Sequence, residues 1–281
     1  MSDLTTLVLV HGSWHQPSCY NKIIKLLQPK LKCVAVALPS TANNPNATFK
    51  DDLEATNEAI AKETASGRNV VVVAHSYGGI PPASALPGCP FMDPFFGHPP
   101  PSWRVNKETG YADLVTPPKE LFYHDVPDDE VEHWISELTT QSLKALFEGG
   151  EHTYEGWKEV PVWYIGTVED RGLPVAAQRM GVGLARELGA RVEHRELQTS
   201  HSPFLSQPEA TVGIMLDALE DFTGQSVKDH EVTGERSAVI WAADGFWSHH
   251  RQIYYPVWMG SRALEVGILE ALSSISACTL L

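Results

Sequence analysis

Ser76 stands in the run Val73-Ala74-His75-Ser76-Tyr77-Gly78-Gly79, directly after the unbroken apolar stretch Val70 to Ala74. Ala74 and Gly78 flank it at A-x-S-x-G spacing, in place of the G-x-S-x-G that lets a strand turn sharply into a helix around an exposed serine. A serine hydroxyl is a weak nucleophile near neutral pH and needs a histidine base, itself oriented by a carboxylate. Downstream the chain supplies both in order. Glu169-Asp170 follows the strand-like run Val160 to Gly166, and His201 follows the alternating run Ala190 to Leu197. Either carboxylate then sits on a loop at a strand's C-terminal end, and among the 12 histidines only His201 has the position of a base. Acyl transfer also needs two N–H donors for the developing oxyanion. The backbone N–H of Tyr77 is one; the other is assigned to Ser13, in the loop after an early strand where Gly12 lets the backbone turn inward.

The remaining histidines read differently. His75 adjoins the serine but points away from it along the turn. His11 and His15 are spaced i, i+4, but the segment leaves a strand at Gly12 and has no third ligand nearby, so no metal is assigned. His249-His250 reads as a surface pair in the tail.

These loops require strands and helices to hold them. Thr5 to Val10, Cys33 to Leu38 and Val70 to Ala74 read as buried strands, because apolar runs without polar alternation belong in a parallel sheet covered on both faces. Tyr20 to Leu27 has helical spacing, and Thr48 with Asp51 and Asp52 marks the start of a helix that reaches about Ala65. Helices are also expected over Pro174 to Leu188 and Pro208 to Phe222, the last closed by Gly224. Such β-α-β alternation predicts an α/β fold with a mostly parallel sheet. The region from about 94 to 158 differs, being rich in proline and aromatics with one amphipathic segment from Pro127 to Phe147. It reads as a cap inserted over the sheet. The expected organisation is residues 1–224 as one α/β domain and 225–281 as an extension of unassigned role, with self-association among the roles left open.

The net charge of −14 repels phosphate backbones and anionic lipid headgroups, which argues against nucleic acid and membranes as partners. No run approaches about 18 consecutive apolar residues, so no spanning helix is expected. The N-terminus lacks the basic and long apolar regions of a secretory signal. Cys19, Cys33, Cys89 and Cys278 have no C-x-x-C spacing and read as free thiols, which fits a cytoplasmic protein.

LVHGSWH at 9 to 15, AHSYGG at 74 to 79, PVWYIGTVEDRGLP at 161 to 174 and SHSPFLSQP at 200 to 208 together resemble the α/β-hydrolase superfamily. The resemblance is strongest to the branch with plant methyl esterases, hydroxynitrile lyases and their microbial relatives, and it covers about residues 5 to 224. It implies Ser76 as nucleophile, Asp170 as acid, His201 as base, and Ser13 with Tyr77 as oxyanion donors, with no cofactor. It also implies a helical cap, in which Phe122, Trp134 and Phe147 are candidate pocket walls. The lyases of this branch carry a lysine directly after the catalytic histidine and a threonine in the first loop. Here Ser202 and Gly12 stand there, which disfavours cyanohydrin cleavage. Epoxide- and halide-processing members use an aspartate at the elbow, which Ser76 excludes.

The expected function is hydrolysis of an ester, thioester or lactone of a small, apolar molecule through an acyl-enzyme. The alternative is a non-hydrolytic member: a lyase or cyclase, a ligand-binding protein or an inactive one. Two departures bear on this choice. Ile80 is followed by Pro81, Pro82 and a stretch to Pro90 without a β-branched run, so a core strand after the elbow is missing from its usual place. The tail contains a strand-like run, Ser237 to Ala242, and a helix-like run, Ser261 to Leu272.

Overall fold

The computed structural model describes residues 5–28, 30–79, 99–149, 152 and 156–224, together with the strand 275–280. The first half alternates as its apolar runs require: β1 (Thr5–Val10), α1 (Asn21–Leu27), β2 (Lys32–Val36), α2 (Phe49–Ala65) and β3 (Asn69–Ala74). All six residues of β1 are buried, as a strand covered on both faces must be. Thr48 caps α2: its Oγ1 accepts from Asp51 N at 3.3 Å while the Asp51 carboxylate accepts from Thr48 N at 2.7 Å. That reciprocal pair satisfies two of the free donors at the helix start.

Between β3 and the next sheet strand lies the inserted region. It holds an antiparallel hairpin of β4 (Trp103–Asn106) and β5 (Tyr111–Leu114), then α3 (Pro118–Phe122), α4 (Asp128–Ser136) and α5 (Leu143–Phe147). The single amphipathic segment expected from Pro127 to Phe147 is therefore two helices. The break has a local cause. Thr139 N donates to Trp14 O at 2.7 Å and Ser142 N to Ser40 O at 2.8 Å, so the backbone between α4 and α5 bonds to the sheet's loops instead of to its own preceding turn.

The sheet resumes with β6 (Val162–Thr167), α6 (Val175–Glu187), β7 (Val192–Leu197), the short α7 (Pro203–Ser206) and α8 (Pro208–Thr223), which ends on Gly224 at φ 68°. A left-handed residue closing a helix is the usual place for glycine.

The sheet does not end there. β8 (Ile275–Leu280) lies between β3 and β6, so the six strands run β2-β1-β3-β8-β6-β7, all parallel. Val70 to Ala74 pair with Ile275 to Thr279, and Tyr164 and Ile165 with Thr279 and Leu280. The strand missing after the elbow is thus supplied from the far end of the sequence, and the acid-bearing strand β6 keeps its position one strand away from β3. The strand-like run 237–242 and the helix-like run 261–272 lie outside the described residues. No helix among the described residues is long and apolar enough to cross a membrane.

Removing residues 275–280 strips the hydrogen-bond partners from one edge each of β3 and β6 at the middle of the sheet, where unpaired backbone groups are costly. The shortened chain is expected to lose its fixed tertiary packing, read as loss of the near-UV circular dichroism spectrum. A native-like spectrum with an undiminished thermal midpoint would contradict the placement of β8.

Candidate active site

The site begins with backbone conformation. Ser76, at the end of β3, has φ 51°, a left-handed value that costs a non-glycine residue about 1–3 kcal/mol and persists only where surrounding structure enforces it. Three contacts enforce it. A Cβ on Gly78 would stand 2.5 Å from His11 O and 2.7 Å from Val10 O, and one on Gly12 would stand 2.8 Å from the Ser76 Cβ. Neither position tolerates a side chain, so the loop after β1 and the turn after β3 meet at van der Waals distance. The third contact is the Tyr77 hydroxyl, which donates to buried Asp52 Oδ2 at 2.6 Å and thereby fastens the turn to α2. Asp52 also accepts from Ser40 N at 2.9 Å. Burial raises its pKa despite these bonds. In sequence Asp52 reads only as a first-turn acid of a helix; its partners are distant in the chain.

The loop after β1 carries a second strained residue. Trp14 has φ 59° in a turn closed by His15 N to Gly12 O at 3.3 Å, a conformation that normally selects Gly or Asn. Its indole Nε1 donates to Ala112 O at 2.9 Å. Thr139 N donates to its carbonyl, so cap residues hold Trp14 at both ends. Ser13 is buried beside it, and its N–H has no hydrogen-bond acceptor among the described residues.

On the other side of β8, Asp170 and His201 meet: His201 Nδ1 lies 2.8 Å from Asp170 Oδ2. Both side chains are buried. The carboxylate is held in place by Thr167 Oγ1 at 2.8 Å, Gly172 N at 2.7 Å and Leu173 N at 2.8 Å. Burial, the largest single influence, pushes the Asp170 pKa up, but the His201 ring and these donors leave it below the ordinary carboxylate value. Of the two carboxylates in this loop, Glu169 is half-exposed and faces His124, with Oε2 3.8 Å from its Nε2. With Nδ1–H donating to Asp170, the Nε2 of His201 carries the lone pair.

Among the described residues no hydrogen bond joins the Ser76 hydroxyl to this ring. The link between them runs through His75, whose Nε2 lies 2.9 Å from His201 O and whose ring stacks edge-on at 4.7 Å. A carbonyl can only accept, so Nε2 bears the His75 proton. The other two rings are likewise committed. His11 Nδ1 faces Gly12 O at 3.0 Å; His15 Nδ1 faces Ser13 O at 2.8 Å while its Nε2 accepts from Tyr123 OH at 2.9 Å. Among the described residues no group of three or more ligating side chains gathers as a metal site would require.

Of the three aromatic residues expected as pocket walls, Phe122 lies against the site, its ring 5.5 Å from His201 and 5.5 Å from His15. Phe147 contacts Trp103 at 6.3 Å, one ring removed from Trp14. Trp134 packs with His133 in α4. A cleft of about 360 Å³ opens between the cap and the acid loop, with Leu121, Arg171 and Gly172 among its walls. Gly172 brings it to the acid–base pair, since a Cβ there would stand 3.4 Å from His201 Nδ1.

A family model described as the alpha/beta hydrolase family matches residues 7–214. This chain belongs to the alpha/beta hydrolase family. Alpha/beta hydrolase nvfD of Aspergillus novofumigatus is 25% identical over 243 residues, covering 75% of this chain and 95% of that protein. Among solved structures, polyneuridine aldehyde esterase superposes with a TM-score of 0.59 at 23% identity, over 76% of this chain and 98% of the other. The methylesterase MES16 from Arabidopsis gives 0.58 at 19% identity, over 77% and 99%. These structures share the fold of this chain, and they include the methylesterase type that its motifs resemble.

Burial lowers the pKa of His11 to about 4 and of His15 to about 3, and that of His75 well below its ordinary value. The unfolded chain takes up protons on these rings as pH falls below about 6.5, whereas the folded chain does not. Folding stability is therefore undiminished above that pH and is lost on acidification towards pH 4, by about 1.4 kcal/mol per pH unit for each ring. Urea midpoints are expected to fall steeply between pH 6.5 and 5, before most carboxylates titrate. A flat profile over that interval would contradict the neutral, buried state of the three rings.

Proposed function

We propose that the protein is a serine hydrolase that cleaves an ester, thioester or lactone of a small, apolar molecule through an acyl-enzyme. The observation that carries the reading is the juxtaposition of a strained serine at the end of β3 with a His201–Asp170 pair tied to the residue beside it. Packing holds Ser76 at positive φ without any structural bond from its hydroxyl to the base. A backbone strain maintained at that position accords with a reactive role. Catalytic hydrogen bonds are often long before substrate binds and tighten in the productive complex.

In this mechanism Ser76 Oγ attacks the substrate carbonyl carbon as its proton passes to His201 Nε2. Asp170 stays ionised, fixes the ring through Nδ1–H and stabilises the imidazolium. The carbonyl oxygen takes the negative charge and is met by the N–H groups of Ser13 and Tyr77. Collapse expels the alcohol or thiol, which takes the proton from His201; for a lactone this group stays on the acyl chain. Water, deprotonated by the same ring, then releases the acid and restores Ser76. The esterase relatives, the buried setting and the aromatic face of Phe122 support a carboxylic ester of low polarity, since pockets lined by such rings favour apolar ligands.

Ser76→Ala is expected to abolish turnover of p-nitrophenyl butyrate and labelling by a fluorophosphonate, while Asp170→Asn lowers kcat by about 10⁴-fold through the wrong tautomer of His201. Undiminished ester turnover by Ser76→Ala would exclude the mechanism, and product formation independent of Ser76 would point to the non-hydrolytic reading.

A further inference from the structure

Four consecutive cap residues, Phe122 to Asp125, each hold a loop of the candidate site. Phe122 O accepts from Ser200 Oγ at 2.8 Å, beside its ring contact with His201. Tyr123 OH bonds His15 in the loop after β1. His124 faces Glu169 of the acid loop. Asp125 has the most extensive grip: its Oδ2 accepts from Thr199 Oγ1 at 2.7 Å and from Ser200 N at 2.9 Å. Thr199 in turn meets Ser206 Oγ at 2.8 Å, and its carbonyl accepts from Glu169 N at 3.0 Å.

We infer that Asp125 is a positioning residue, a clamp through which the cap sets the location of the base-bearing loop 199–201. The inference rests on the serine-hydrolase reading above. Its physical basis is that bonds to an ionised carboxylate are shorter and about twice as strong as neutral ones. Burial opposes the charge on Asp125, yet the Ser200 and Thr199 donors hold its pKa below the ordinary carboxylate value. The two donors belong to the residues immediately before His201, so the carboxylate fixes the backbone from which the imidazole projects. Residues 199–201 are thus held by Asp125 and Phe122 of the cap at Thr199 and Ser200, Ser206 of α7 at the Thr199 hydroxyl, His75 of the serine turn at the His201 carbonyl, and Glu169 of the acid loop at the Thr199 carbonyl. Apart from Asp170 on the His201 ring itself, only Asp125 supplies a charge. Nothing in the local sequence FYHDVP marks it, because its partners lie about 75 residues downstream.

A displacement of about 1 Å in a catalytic group costs on the order of 100-fold in rate. The test uses the full-length protein, with fluorophosphonate titration to count intact sites and p-nitrophenyl butyrate to measure turnover. Asp125→Ala is expected to lower kcat per titrated site and the rate of fluorophosphonate labelling together, by about 10- to 100-fold, with KM within about threefold of the wild-type value. Asp125→Asn keeps an acceptor oxygen for both donors but not the charge, and is expected to recover only part of that loss. Two outcomes overturn the clamp: an alanine variant within twofold of wild type per titrated site, or a loss that appears only as fewer titratable sites of ordinary kcat, which is the signature of unfolding. A wild-type protein that fails to label at Ser76 overturns the serine mechanism, and the clamp with it.

Discussion

Strand spacing governs this molecule. Parallel neighbours sit about 4.8 Å apart, and the proposed nucleophile and its base–acid pair are carried at the ends of strands separated by β8. Were β3 to pair directly with β6, the Asp170 loop would move inward by one spacing, and the contact between His75 and His201 O would not form. The serine turn, the acid loop and the base loop are each well determined locally; their relation to one another depends on six residues whose backbone pairs with β3 on one side and β6 on the other. This is why β3 and β6 stand two strand spacings apart although the segment following the serine turn carries no β-branched run.

A second constraint is the distance between β1 and the turn after β3. Gly12 and Gly78 are required because the atoms they face, the Ser76 Cβ and the carbonyls of Val10 and His11, leave no volume for a methyl group. Bringing these backbones together buries His11, His15 and His75 around the site. Held neutral, these rings add no like charge next to the imidazolium that the proposed mechanism develops on His201. The same burial that makes them liabilities in acid makes them harmless neighbours in catalysis.

Much of this was legible in the residues. The apolar runs of β1, β3 and β6, the Thr48 cap of α2 and the Gly224 terminus of α8 each follow from local rules, and the structure has them within one or two residues of the expected bounds. The order serine, carboxylate, histidine, each after a strand, was enough to nominate residues that the fold brings to one end of the sheet. What local rules did not reveal has a common cause. Asp52, Asp125 and Trp14 are decided by partners far away in sequence: a tyrosine hydroxyl, a loop N–H and a cap carbonyl. The split of the cap helix belongs to the same class, since carbonyls of Trp14 and Ser40 capture its backbone donors. The most consequential case is β8, whose place in the sheet no periodicity could assign.

The position of β8 also sets a schedule for the chain's assembly. Val70 pairs with Ile275, about 200 residues later, and the centre of the sheet is incomplete until residue 280 has left the ribosome. Up to that moment β3 and β6 present open edges, the kind of surface that templates pairing between chains. Contacts of such long sequence separation form slowly, and nascent chains with exposed strand edges are prone to aggregate. The sheet cannot close before that point, and the yield of folded protein depends on what shields those two edges in the interval.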